Sequence, residues 1–402
     1  MIAATLVTAT VMAARHLRTS PCDDRLQVPD GFCAAVYADD VGSARHLAVA
    51  PNGDVYVTTW QEGDRRGGIV ALRDTNHDGR ADRRRGFGPE GGAGIVIAGR
   101  TLWFATWGQI LRYELGLDSL GPVSPPEIVA TALPALEHGA RSIAVDSVGR
   151  LFLNIGAPSN ACERDYPRRD FKGAEPCGEL LTSGGIWLFN ARGRDQLPTL
   201  ARRFATGLRH TIALAVNPID GRLYGVPHGI DHLDRWWPSA GYSALDAANV
   251  PAETMFRIDS AGDYHWPYCF FDPRVNAMVV APAYVGEIAP TRCEGAPAPM
   301  ATFQAHSAPM AIVWNIGNAF PREYRHATFV ALHGSLFHAP DKPRGYGVKV
   351  IMPESREVRD FVVARTRLGS PSARPSGLAF LPDGSLLIAD DLGRRIWIVR
   401  PR

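Results

Sequence analysis

The stretch LEHGARSIAVDSVGRLFLNIGAPSN, residues 136–160, decides the fold. An apolar strand, SIAV, runs into a turn at Gly149 and returns as a second apolar strand, LFLNI, so the segment predicts a β-hairpin. His138 and Arg141 stand just ahead of its first strand. The same unit recurs as HLAVAPNGDVYVTTW (46–60), GIVIAGRTLWFATWGQILRY (94–113), IALAVNPIDGRLYGVPHG (212–229), AIVWNIGNAFPREYRHATFVALHG (311–334) and GLAFLPDGSLLIADDLGRRIWIVR (377–400). A hairpin cannot bury both faces alone; six sheets stacked radially bury one another and leave no free edge. The repeats therefore predict an all-β, six-bladed β-propeller.

Composition agrees. Forty glycines and 31 prolines beside 46% hydrophobic residues suit short strands and tight turns around a well-supplied core. With 43 basic and 41 acidic residues the formal net charge is +2, which offers no excess for nucleic acid or an anionic membrane. The six cysteines fall into neighbouring pairs, Cys22 with Cys33, Cys162 with Cys177 and Cys269 with Cys293, and none has CxxC spacing. Local disulfides and a periplasmic or secreted location follow as expectations. Residues 1–20 read as a signal peptide or N-terminal apolar segment. Residues 21–402 read as a single propeller domain with a long insertion at about 230–305 and no membrane span.

Function is expected on the face where the inner strands begin. Arg209 and His210 in GLRHTIALAV, and Arg374 in ARPSGLAF, repeat the placement of Arg141, so three arginines are expected to converge with few carboxylates near them. Guanidinium groups stay charged and grip carboxylates bidentately, so an anionic ligand is implied. Separately, DTNHDGRAD spaces Asp74, Asn76, Asp78 and Asp82 as in the first nine positions of a calcium loop. Arg85 stands where such a loop ends in Glu, so a structural calcium and a polar turn are both open readings.

The segments EHGARSIAV, IGAPSNACERD, GLRHTIALAVNPIDGRLY, HGIDHL, GDYHWPYCFFD, AHSAP, FVALHGS and RPSGLAFLPDGSLLIADD together resemble the bacterial sorbosone dehydrogenase and soluble aldose dehydrogenase group, in one order over residues 28–400. The resemblance implies a sugar dehydrogenase using pyrroloquinoline quinone and calcium, with His138 as general base and Arg141, Arg209, His210, His333 and Arg374 around the quinone carboxylates. It places the cofactor calcium at Gly229, Ile230 and Asp231. Apart from the resemblance, the large aromatic faces of Trp236 and Trp237 suit stacking on a sugar ring at the pocket mouth, with sealing of the insertion at least as good a reading, and His306 is a further substrate candidate. The implied partners are a sugar and an electron acceptor such as a cytochrome or the quinone pool. The chain also departs from the group. His210 replaces an asparagine, Ala93 a polar channel residue, and Leu336, Phe337 and His338 a Trp-Asn-Arg run, while Pro227, His228 and Ile230 alter the calcium loop. Two alternatives therefore stay open: a catalytically impaired carbohydrate-binding propeller, and a calcium-dependent hydrolase of lactonase type.

Overall fold

Each hairpin copy forms the inner part of an antiparallel sheet, and six such sheets succeed one another in the computed structural model, which describes residues 21–116, 118–164, 168–335 and 344–402. Residues 1–20 and Leu336, Phe337 and His338 lie outside the described residues. In blade 3, Ile143–Val145 pairs with Arg150–Ile155 in the register Ile143↔Leu153 and Val145↔Leu151. The turn between them is held by Asp146, whose carboxylate accepts the N–H groups of Val148 and Arg150 at 3.2 and 2.8 Å, while Gly149 takes the left-handed φ of 84° that a side chain would resist.

Blade 1 begins with Ala44–Val49, blade 2 with Gly92–Ala98, blade 4 with Ala213–Val216, blade 5 with Pro309–Trp314 and blade 6 with Pro375–Phe380. Leu47, Val96, Ile143, Leu214, Ile312 and Leu378, one from each inner strand, line one narrow axial cavity of about 160 Å³. The ring closes through a strand that the repeat pattern does not reveal: Phe32–Ala38 pairs with Arg395–Pro401 as the outer strand of blade 6, and Cys22–Cys33 ties its start.

The stretch from about 230 to 305 is not one excursion. Blade 4 keeps its third strand, Glu253–Ile258, inside it, so the chain makes two loops, 227–252 and 259–300. With residues 157–180 they share a hydrophobic cluster that includes Trp237, Trp266, Tyr268 and Tyr284 and both remaining disulfides, Cys162–Cys177 and Cys269–Cys293. Burying each such ring stabilises the annex by roughly 1.5–3 kcal/mol. No helix among the described residues is long and apolar enough to cross a membrane.

Candidate active site

Antiparallel pairing puts the residue before an inner strand and the residue after the second strand at the same end of a blade. At that end of blades 3 to 6 lies a cavity of about 600 Å³, within the range of small-molecule sites. His138, Arg209, Gly229, Asp231, Trp236, His306, His333 and Arg374 line it. Arg141, His210, Ile230 and Trp237 do not.

His138 Nδ1 lies 2.6 Å from the carbonyl oxygen of Ala157. A carbonyl only accepts, so Nδ1 carries the proton and Nε2 keeps its lone pair. Burial and the charge of Arg209 push the imidazole down to about 4, against the Ala157 bond, so it is neutral near pH 7. Behind it His210 packs ring to ring at 4.9 Å and His228 follows at 5.3 Å, with His228 Nε2 donating to the Pro309 carbonyl at 2.9 Å. Gly156 makes this packing possible: a Cβ there would sit 2.4 Å from His210 Nδ1 and 2.7 Å from the His138 carbonyl.

Two of the three expected arginines converge. Arg209 donates to the Gly229 carbonyl at 2.9 Å and to Asp231 Oδ2 at 3.3 Å, and its buried Nε has no partner. Arg374 Nη2 donates to His333 Nδ1 at 2.9 Å and to the Gly334 carbonyl at 3.3 Å rather than to a carboxylate. Because Arg only donates, His333 must carry its proton on Nε2, which bonds Asp391 at 2.8 Å; Asp391 in turn pairs with Arg45 at 3.0 Å. Arg141 is the correction. It is 1% exposed, spends Nη2 on the Pro134 carbonyl of its own loop, and leaves Nε and Nη1 without partners.

The expectation of few carboxylates also fails, because Glu137, Glu163, Asp231 and Glu253 line the cavity. Glu253 arrives on the third strand of blade 4, where no motif marks it; it accepts the Gly229 N–H at 3.0 Å and burial pushes it up to about 7. His306 donates Nε2–H to the Ala247 carbonyl at 2.7 Å and faces Asp231 Oδ1 at 3.2 Å. Burial opposes its protonation, but the Asp231 bond and charge outweigh it and raise the imidazole above its ordinary value. Asn160, also missed, clamps Asp231 through two reciprocal backbone bonds of 2.9 Å. Comparing the heads of the hairpin copies side by side would have found Arg45, which precedes His46 as Arg209 precedes His210.

Trp237 is 2% exposed and donates Nε1–H to the Phe171 carbonyl at 3.0 Å, so it seals the annex and offers no face to a sugar. In DTNHDGRAD, Asp74 accepts the N–H groups of Asp78 and Gly79, Asn76 that of Asp78, and Asp82 bonds Thr75. These are turn bonds, and the three carboxylates do not converge within 4.8 Å of one another, an arrangement that fits a polar turn. In the cavity the donor set suits two ligands. Arg374 and Arg209 fit an anion bearing carboxylates. The Gly229 carbonyl and Asp231 carboxylate are oxygen donors of the kind calcium takes, at present bonded by Arg209.

The family model described as TrAA12-like matches residues 26–402. The calcium structure of a Trichoderma reesei protein of Carbohydrate-Active Enzymes Family AA12 superposes with a TM-score of 0.77 at 16% identity, covering 96% of this chain and 98% of that one. The holo PQQ domain of pyranose dehydrogenase from Coprinopsis cinerea gives 0.73 at 16% identity, with 95% and 98% covered. These likenesses establish the fold. An uncharacterized protein of Borreliella burgdorferi is 26% identical over 270 residues, 65% of this chain, and the match spans 60% of that relative's length. With the family model extending from ahead of the closing strand to the last residue of the ring, the chain belongs to the TrAA12-like family.

Proposed function

We propose that the protein is a quinone-dependent sugar dehydrogenase that oxidises a sugar or sugar-derived aldehyde, of pyranose, aldose or sorbosone type, with pyrroloquinoline quinone and calcium as cofactors. The observation that carries this reading is His138: a neutral imidazole whose tautomer is set by Ala157, in the wall of a cavity whose arginines suit a carboxylate-bearing ligand. The Coprinopsis cinerea neighbour, a pyranose dehydrogenase PQQ domain, supports it, as does the calcium structure of the Trichoderma reesei neighbour.

When bound, the quinone supplies a two-electron hydride acceptor and calcium a Lewis acid. The chain's own residues do the rest. Arg374 and Arg209 would hold carboxylates and the Gly229 and Asp231 oxygens the cation, and Nε2 of His138 takes the proton of the hydroxyl on the reacting carbon, which for an aldehyde is that of its hydrate or cyclic hemiacetal, as the hydrogen on that carbon leaves as hydride. The three disulfides support a periplasmic or secreted setting, in which electrons pass to an external acceptor such as a cytochrome or the quinone pool.

The test is reconstitution of the purified chain with quinone and calcium, followed by absorbance of the bound cofactor and dye-linked oxidation of pyranoses, aldoses and sorbosone. Saturable cofactor binding with sugar-dependent dye reduction is expected. A chain that binds sugars but neither binds nor reduces the quinone is a carbohydrate-binding propeller instead.

A further inference from the structure

Of the two arginines that line the cavity, Arg374 is the one held without a carboxylate. Its backbone is fixed first. Asp390, fully buried at the end of the second strand of blade 6, Leu386–Asp390, accepts the Arg374 N–H at 2.9 Å and is itself held by the Gly393 N–H at 2.9 Å and Trp397 Nε1 at 3.0 Å. The side chain is fixed from the neighbouring blade. His333, directly after the second strand of blade 5, Thr328–Leu332, accepts Arg374 Nη2 on Nδ1 at 2.9 Å, while the His333 and Gly334 carbonyls take Nε at 3.4 Å and Nη2 at 3.3 Å. Among the described residues nothing bonds Nη1.

Both ring nitrogens of His333 are thereby spent. Nδ1 accepts from Arg374 and Nε2 donates to Asp391 Oδ2 at 2.8 Å, so the imidazole has no nitrogen left for a ligand. Asp391 is anchored in turn by Arg45 at 3.0 Å, whose guanidinium stacks 3.4 Å over the Trp60 ring, and the side chains of His333, Asp391 and Arg45 are at most 10% exposed. The neutral ring in the middle of this chain has a physical consequence. A carboxylate touching Arg374 would orient it and also offset its charge, which is the situation of Arg209 beside Asp231. An imidazole between Asp391 and Arg374 orients the fork and leaves its charge for an incoming anion.

We propose that His333 and Asp391 are positioning residues: they aim the Arg374 fork at a ligand carboxylate and do not bond the ligand themselves. This rests on the quinone-dehydrogenase reading above for the identity of the carboxylate, and it gives His333 a different role from the contact that the family resemblance implies. The edge left for the ligand is Nη1, with its two N–H donors. It follows that His333 contributes to affinity only while Arg374 is present.

A double-mutant cycle in the full chain separates aiming from contact. Calorimetry with pyrroloquinoline quinone in the presence of calcium compares the parent, His333→Leu, Arg374→Ala and the two together. His333→Leu should weaken quinone binding by about tenfold, the worth of one well-aimed charge-assisted bond, but by less than about twofold once Arg374 is already Ala. His333→Asn, which keeps an acceptor near the Nδ1 position, should recover most of the affinity. Equal losses in both backgrounds overturn the proposal, because His333 then bonds the ligand itself; so does an unchanged affinity in His333→Leu. Should that variant fail to fold, nitrogen NMR of the His333 ring in the parent decides: a proton on Nε2 alone, before and after quinone is added, sustains the proposal, and a proton on Nδ1 in either state overturns it. If the parent binds no quinone, the dehydrogenase reading fails, and phthalate, an aromatic dicarboxylate, takes its place in the same cycle; no phthalate binding by the parent then overturns this proposal as well.

Discussion

Arg45-His46 and Arg209-His210 are the same dipeptide at the head of the inner strand in blades 1 and 4, and they end in different situations. His210 is buried and His46 half-buried at the axial cavity, and both are held neutral, chiefly by desolvation: His46 is pushed down to about 4 and His210 lies well below its ordinary value. The arginines part company. Arg209 opens onto the cavity and meets Gly229 and Asp231 from its own blade's long loop, while Arg45 is roofed by Trp60 and paired with Asp391 of blade 6. The strands supply the position; the loop after the second strand decides whether that position becomes a site or a strut.

The largest test of this division is His138→Asn, since blade 1 has no counterpart to His138. Sugar oxidation should fall by roughly two to four orders of magnitude while quinone binding persists, because the amide fills the space but is a poor proton acceptor. Near-parental turnover with bound quinone would return His138 to a structural role.

The arginine pair should then separate the two regions directly. Arg45→Ala leaves Asp391 buried without its cation, and chemical denaturation should show a loss of about 3–5 kcal/mol. Arg209→Ala should be far milder on stability, since its partner Asp231 is 40% exposed, but should weaken quinone binding by about one to two orders of magnitude, the worth of a charge-assisted bond of roughly 1.5–3 kcal/mol. Reversed outcomes, with Arg45 governing affinity and Arg209 stability, would break the distinction.

The smallest effect is one the two regions share. His46, His138 and His210 all titrate below the ordinary imidazole value of about 6.5 when folded, so the unfolded chain binds protons first as pH falls. Their contribution is intact above about 6.5 and is lost as pH drops toward 4. Denaturation midpoints at pH 7 and 4.5 should show this loss, reduced in both His46→Asn and His210→Asn. A midpoint equally acid-sensitive in both variants and the parent would assign the acid response to other groups.

Much of this was legible in the residues. Alternation about Asn52-Gly53, Gly149, Asp220-Gly221 and Asp383-Gly384 marks the hairpins, and the short spacing within each cysteine pair marks bonds that the structure contains. Arg209 and Arg374 were visible because they recur at the heads of those hairpins, His138 because it stands ahead of one, and His333 only through the family resemblance. What the repeats do not encode escaped or stayed open: Arg141 turned into its own loop, Glu253 entered the cavity from a strand without a motif, and Trp237, open between two readings, took the one that seals the annex.

By itself, then, the chain determines an all-β ring of six blades, its local disulfides and the residue types at the head of each inner strand, because strand period, turn chemistry and short loops are read from neighbours in sequence. Only the tertiary structure decides which equivalent positions face the cavity, which nitrogen of His138 holds the proton, and how Asn160 reaches Asp231 or Asp391 reaches Arg45. Those contacts join residues from different blades and loops, and no local pattern carries the geometry that brings them together once the ring is closed.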